Sequence, residues 1–309
     1  MINCKVLDRA NLKSIVLEKY NPQWSMFFEK ESQKIKLIMG KNAIGIYHVG
    51  STSVPTLLAK PIIDIILVVK DLKSTRKFLT SKTLEYHYKG EYNLPLRDLY
   101  GKEDEFKIYL HVHLVDSPEI ELNLSFRDYL RNNRKARKEY ELVKIVASKN
   151  QDSTDKTKTG ITKYNLLKND FIVSVLRKSG FFGICARFAT QEDELAFFYH
   201  IKNNFFKRFI EKYSLSEQNS KKIVLYEGVD LVGVTELIHN DSSKLLINFS
   251  WTIDNQKFLK KLLYITENWV RTRTGINLLQ ANVKDSQSQV YLESGFIRST
   301  ESMLFVKVL

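Results

Sequence analysis

The stretch PIIDIILVV at 61–69 leaves few folding choices. A short run dominated by isoleucine and valine, bounded by Pro61 and by the polar pair Lys70 and Asp71, reads as a strand, and a strand apolar at nearly every position is buried on both faces. Asp64 interrupts the run. A carboxylate in such surroundings is costly unless it is paired, so it calls for a lysine, an arginine or a metal, or else it caps a backbone turn.

Around this strand the pattern alternates between helical and extended segments. An extended piece at 14–22 leads into a helix over 22–39, with Pro22 in the first turn and Trp24, Phe27, Phe28, Ile35 and Ile38 supplying its apolar contacts. Strands follow at 44–49 and 62–69, a helix at 71–84, strands at 86–90 and 106–115, a mainly helical stretch at 117–150, a polar loop at 150–160 and a helix at 162–177. KSGFFGI at 178–184 ends a helix in glycine before extended pattern resumes, which divides the chain into expected domains at 1–180 and 181–309. The second part reads as a helix at 191–213, a hairpin of 221–228 and 230–240, a strand at 244–251, a helix at 255–273, a strand at 277–283, a short helix near 286–294 and a closing strand at 299–309. Strands separated by helices predict a layered α/β or α+β fold with mixed sheets in both parts.

No window approaches eighteen continuous apolar residues and the first residues lack a signal-peptide pattern, so a cytoplasmic protein that does not enter membranes is expected. Cys4 and Cys185 are too few and too far apart for a disulfide framework or a zinc knuckle, and read as inert thiols. The net charge of +13 is concentrated early, since residues 1–180 hold 32 Lys and Arg against 21 Asp and Glu. Such a field favours phosphorylated small molecules, with RNA as a further anionic partner.

The chemistry-bearing residues cluster around the same strand. Gly50, Ser51, Thr52 and Ser53 form a turn able to present amides and hydroxyls to a phosphate, or simply a solvated turn. His48 before it would hydrogen-bond the turn together. Lys60 would neutralise a phosphate or pair with Asp64, and Asp64 is of the type that ligates a divalent ion. His111 and His113 alternate onto one strand face, suited to metal ligation, phosphate binding or proton transfer, or else to a solvated sheet face. Arg127, Arg131, Arg134 and Lys138 fall on one face of a continuous helix, a cationic stripe for phosphates or a plain solvated surface, with Asp128 a possible partner for Arg127.

These residues carry a resemblance. YNPQW at 20–24, HVGSTSVPTLLAKPIIDI at 48–65, HVHLV at 111–115, FRDYLR at 126–131 and KYNLLKNDFI at 163–172 occur in the order found in the GrpB family, over residues 15–178. The resemblance implies a nucleotidyltransferase-like fold, Gly50 and Ser51 matching the wider superfamily's turn and Asp64 its first carboxylate. The second carboxylate position falls on Ile66, and His111 and His113 are the candidates to replace the missing ligands. The convergence of turn, acid and basic helix in that order leads to the expectation of Mg²⁺ or Mn²⁺ held by Asp64 with help from His111 or His113, a nucleoside triphosphate bound by Gly50 to Ser53 with Lys60, Arg127 and Arg131, and nucleotidyl transfer to a hydroxyl or amine.

Residues 184–309 resemble a GNAT acyltransferase in IVLYEGVDLVGVTEL, KLLINFSWTI and VYLESGFIRSTESMLFVK. This resemblance implies acetyl-CoA or another acyl-CoA, with the QKFLKK segment supplying Gln256, Lys260 and Lys261 to its phosphates and Tyr291 protonating the departing thiolate. Leu259 and Lys261 stand where active relatives carry a glycine and a small residue. Tyr291 has the alternative of packing beside Phe296. A non-catalytic scaffold for RNA or another anionic partner is the third expectation.

Overall fold

A computed structural model describes residues 15–150, 152–156, 161–189, 220–241, 243–300 and 303–309. The expected helix at 191–213 and Cys4 lie outside the described residues.

The first sheet is mixed and five-stranded. In chain order its strands are β1 (Gly45–Val49), β2 (Ile62–Val69), β3 (His87–Gly90), β4 (Asp98–Glu103) and β5 (Lys107–Leu114), and their spatial order is β1-β2-β5-β4-β3. β2 pairs parallel with β5 and antiparallel with β1. Its central place explains the unbroken apolar run: Ile63, Ile65, Leu67 and Val69 meet Trp24, Phe27, Ile35 and Met39 of helix α1 (Gln23–Met39), while Ile66 and Val68 face the other way. Full burial of one such side chain contributes roughly 1.5–3 kcal/mol. On that second face lie α3 (Pro118–Asn132), α4 (Arg134–Lys149), the short α5 (Lys163–Leu166) and α6 (Asn169–Lys178), while α2 (Leu72–Leu79) follows β2.

Three local differences from the sequence expectation have identifiable causes. The predicted helical stretch at 117–150 is two helices, because Asn133 takes an extended conformation (φ −125°, ψ 97°) and its side chain accepts the Ala136 amide at 2.9 Å, capping α4. The cationic stripe running from Arg127 to Lys138 is therefore broken at Asn133. The helix at 162–177 is likewise split into α5 and α6. β4 was hidden by its polar residues, two of which are buried against partners: Asp98 against Arg273 at 2.7 Å, and Lys102 against the fully buried Glu31 at 3.3 Å.

The second sheet has seven strands, in spatial order β11-β12-β10-β9-β8-β7-β6. These are β6 (Ile184–Phe188), β7 (Ser220–Glu227), β8 (Asp230–Asp241), β9 (Lys244–Thr252), β10 (Leu278–Asn282), β11 (Ile297–Arg298) and β12 (Leu304–Val308). Only β9 and β10 pair in parallel. Helices α7 (Lys260–Arg273) and α8 (Ser288–Glu293) cover it, and Leu262, Leu263, Trp269 and Val270 join Leu245, Ile247 and Leu279 in its core. No helix among the described residues is long and apolar enough to cross a membrane.

Candidate functional site

The turn after β1 lies against Asp64. Val49 pairs with Asp64 in the β1–β2 ladder, Gly50 sits at φ +68°, and a Cβ added there would come 2.4 Å from Asp64 Oδ2. Glycine is thus required twice, by its backbone angle and by the carboxylate packed on it. Ser51 to Ser53 form one 3₁₀ turn whose amides at Ser53 and Val54 return to the carbonyls of Gly50 and Ser51. Thr52 is buried, donates to the Ile62 carbonyl at 2.9 Å and meets His48 Nε2 at 3.1 Å. Ser53 donates to the Gly50 carbonyl at 2.6 Å. Both hydroxyls hold the turn together, so only Gly50 and Ser51 of the four expected phosphate ligands reach the cavity in front of Asp64. His48 is the structural member expected: burial lowers its pKa to about 4, and the ring stacks on Phe28.

That cavity encloses about 430 Å³. Asp64 enters it from β2 with its side chain 28% exposed, and His111 from β5 approaches Asp64 Oδ1 through Nε2 at 3.3 Å. Arg97 donates through Nη1 to His111 Nδ1 at 3.0 Å. Since a guanidinium has no acceptor, Nδ1 must accept, and the imidazole proton sits on Nε2, directed at Asp64. His113 does not join them. It is buried beneath α3, bonded to Ser117 Oγ at 3.1 Å, and burial followed by the charges of His111 and Arg97 holds its pKa well below the usual histidine value. Ile66, at the position of the absent second carboxylate, is equally sealed, packed with Val49, Val68, Ile120 and Leu124. One carboxylate bonded to one imidazole is a poor donor set for a divalent ion, and among the described residues no three His, Cys, Asp or Glu side chains gather as metal ligands. The residues present do not fit the metal centre drawn from Asp64, His111 and His113.

Lysines and tyrosines make up much of the rest of the cavity wall. Lys60, Lys144, Lys156 and Lys168 line it together. Lys60 and Lys168 lie over the ring of Tyr164, at 4.8 and 4.2 Å from its centre. Lys144, 1% exposed, donates to the Leu58 carbonyl, and the neighbouring Glu141 accepts the Leu58 amide at 2.9 Å, so α4 pins the chain entering β2. Burial lowers the pKa of Lys144 to about 7, opposed by Glu141 and reinforced by Lys60. Burial, then repulsion from Lys60 and Lys144, lowers Lys168 to about 7 as well. Lys60 is lowered for the same primary reason. Lys144 and Lys168 escaped the sequence reading. The available signal was Lys144 itself, a lysine on the apolar stripe of Tyr140, Val143 and Ala147, where a solvated residue does not belong.

The two arginines expected on phosphate serve elsewhere. Arg127 forks onto Asp128 at 2.8 and 3.0 Å and donates to the His48 carbonyl at 3.0 Å, whereas Arg131 donates twice to the Ser53 carbonyl at 2.8 and 3.0 Å. They strap the turn to α3 from behind the cavity.

The chain matches the family model "GrpB protein" over residues 14–178. It belongs to the GrpB family. Within that family it is similar to UPF0157 protein YqkA of Bacillus subtilis, 37% identical over 138 residues, which span 43% of this chain and 40% of YqkA. A GrpB crystal structure from Enterococcus faecalis is 32% identical, covering 53% of this chain and 96% of that one with a TM-score of 0.46. The remainder of the chain is matched by structures of GNAT-type enzymes, among them the N-acetyltransferase PseH of Campylobacter jejuni, at 18% identity, 41% and 96% coverage and a TM-score of 0.30.

In that remainder the expected acyl-CoA residues do not assemble. Tyr291 is fully buried, bonded to Ser250 Oγ at 3.1 Å and edge-on to Phe296 at 5.1 Å, and burial drives its pKa upward. It packs in the core and is not placed to protonate a thiolate. Asp254 caps the segment after β9, accepting the Lys257 amide at 3.1 Å, which puts a carboxylate where a pyrophosphate would need bare amides. Gln256 is exposed, Leu259 is fully buried, Lys260 pairs with Glu293 at 3.7 Å, and Lys261 turns into a separate cavity of about 590 Å³ between the two sheets. Cys185 is buried and its thiol is pushed up by burial and Glu119, in keeping with an inert role.

Proposed function

We propose that the GrpB unit binds the phosphate groups of a nucleoside triphosphate in the Asp64 cavity and transfers the nucleotidyl group to a hydroxyl or amine. The observation that supports this reading is the meeting, in one solvent-reachable cavity, of the Gly50–Ser51 turn, the Asp64–His111 pair and four lysines, Lys60, Lys144, Lys156 and Lys168. Lys144 and Lys168 join the expected Lys60 in the cavity, while Arg127 and Arg131 are bonded to the turn. The acceptor oxygen or nitrogen forms a bond to the α-phosphorus, the bond to the bridging oxygen breaks, and pyrophosphate leaves. Asp64 takes the acceptor's proton, with the His111 Nε2–H holding the carboxylate in place. Lys60, Lys144 and Lys168 offset the charge that gathers on the departing pyrophosphate, since this chemistry asks mainly for positioning and charge neutralisation.

Calorimetric titration with ATP, CTP, GTP and UTP, in EDTA and again with Mg²⁺ or Mn²⁺, tests the binding. At least one nucleotide is expected to bind in EDTA, and Lys144→Met is expected to weaken it about tenfold or more, the loss of one charge-assisted bond. Absence of binding for every nucleotide under every condition removes the reading. Release of pyrophosphate in the presence of a mixed pool of hydroxyl and amine acceptors then tests the transfer.

A further inference from the structure

The segment joining β3 to β4, residues 91–97, has one side in the Asp64 cavity and the other on the second sheet unit. Tyr92, Asn93 and Arg97 line the cavity. Leu96 packs against the core of the second unit, and the Asn93 carbonyl accepts the Phe188 amide of β6 at 2.8 Å. Glu91 is the centre of the junction. Its Oε2 accepts the indole N–H of Trp269 at 2.9 Å, its Oε1 accepts Arg273 Nε at 3.1 Å and the Leu96 amide at 2.8 Å, and its carbonyl accepts Arg97 Nη2 at 2.7 Å. Trp269 and Arg273 both belong to α7, and Arg273 also pairs with Asp98 at 2.7 Å, the first residue of β4.

This segment is strained. Tyr92 and Leu96 sit at φ +54° and φ +61° although neither is glycine. Strain of this kind persists only where the surroundings over-determine it. Here the surroundings are α7 and β6. Arg97 itself is 5% exposed, with Nη1 on His111, Nη2 on the Glu91 carbonyl and Nε without a hydrogen-bond partner among the described residues.

We propose that the second unit sets the reactive pair of the first: Trp269 and Arg273 hold Glu91, Glu91 and the strained turn hold Arg97, and Arg97 keeps the His111 proton on Nε2, facing Asp64. The proposal rests on the Asp64 cavity being the reactive site, but its central claim, coupling of α7 to the His111 tautomer, stands apart from nucleotide binding. Glu91, Arg97, Trp269 and Arg273 act through other groups and are positioning residues. The role of the second unit is then to complete the GrpB site, whatever ligand it takes in addition. If α7 moves, Glu91 is released, Arg97 loses its anchor, and the imidazole is free to place its proton on Nδ1 and turn its lone pair towards the carboxylate. Two lone pairs then face one another, and Asp64 loses the hydrogen bond that holds its carboxylate in place for the acceptor.

The test uses the full chain labelled with ¹⁵N-histidine, the His111 signals being assigned by their loss in His111→Gln. Long-range ¹H–¹⁵N spectra of the unaltered protein are expected to show the Nε2–H form. Trp269→Phe, Arg273→Lys and Glu91→Ala are expected to shift the His111 nitrogens towards a mixture of forms, with Glu91→Gln, which keeps an acceptor for Trp269, lying between. Trp269→Phe removes the hydrogen bond to Glu91 and keeps an aromatic ring in the core, so it remains informative should Glu91→Ala fail to fold. In turnover, the same variants are expected to lower kcat by about 100-fold, the cost of a misplaced reactive group, with KM for the nucleotide nearly unchanged. His111 signals that stay put in folded Trp269→Phe and Arg273→Lys overturn the coupling. Failure of every nucleotide to bind the unaltered protein, with His111 still responding, would instead overturn the assignment of the cavity to nucleotides.

Discussion

Gly50 and Lys144 carry the most testable consequences of single side chains. Gly50→Ala places a methyl group 2.4 Å from Asp64 Oδ2 in a backbone conformation that alanine disfavours. The positive φ alone costs about 1–2 kcal/mol, and Asp64 must also move, so urea unfolding is expected to show at least that loss together with abolished nucleotide binding. Lys144 works in the opposite sense. Its pKa in the folded protein, about 7, lies below the ordinary 10.5, so the unfolded chain binds more protons between these values and stability rises with pH across that window. Lys168 adds to the same slope. Lys144→Met is therefore expected to raise the melting temperature near pH 6 and to flatten the pH dependence between 7 and 10, as measured by thermal scans in a buffer series. A polyphosphate that draws Lys144 and Lys168 back to the charged form must bring protons with it. Titrations at pH 8 in buffers of different ionisation enthalpy are expected to show proton uptake, and affinity is expected to fall as pH rises above 7.

Among the elements, α3 and α4 illustrate what periodicity can and cannot deliver. Their apolar stripe was legible, and so was β2, because burial on two faces leaves an unmistakable run; β1 and β5 were legible from shorter, alternating pattern. The break at Asn133 was not, since a helix cap and a solvated helical asparagine look alike until the backbone is seen. Asn133→Ala is expected to cost about 1 kcal/mol, the usual worth of such a cap, with no change in nucleotide affinity. β4 was illegible for another reason: Asp98 and Lys102 disguise a buried strand, and their partners Arg273 and Glu31 lie far away in sequence. Glu31→Ala leaves Lys102 buried beside an empty place and takes the acceptor from Tyr86, so a loss of about 3–5 kcal/mol is expected in chemical unfolding.

Across the two units, the candidate site was only partly readable. The Gly50–Asp64–His111 convergence followed from order along the chain, and the structure brings those three together. His113, Thr52, Ser53, Arg127 and Arg131 were equally good candidates by residue type, yet each is spent on holding the turn or lies under α3. Local sequence does not record which face of a strand a neighbouring helix will cover. In the second unit, Tyr291 satisfies the spacing of an acid and the geometry of a core tyrosine. Tyr291→Phe is expected to lose roughly 1 kcal/mol of stability through the Ser250 hydrogen bond, and coenzyme A titration is expected to be the same before and after the change.

The covering of Ile66 by α3 has a bearing on any attempt to convert this protein into a metal-dependent transferase. Writing an aspartate at that position would not restore a ligand, because the new acid would arrive under Ile120 and Leu124, packed among apolar side chains. The helix would have to withdraw first, and with it would go Arg127 and Arg131, whose guanidinium groups keep the glycine turn shut. The position is closed off here by a lid of leucine and isoleucine, and opening it would begin with the helix rather than with the strand.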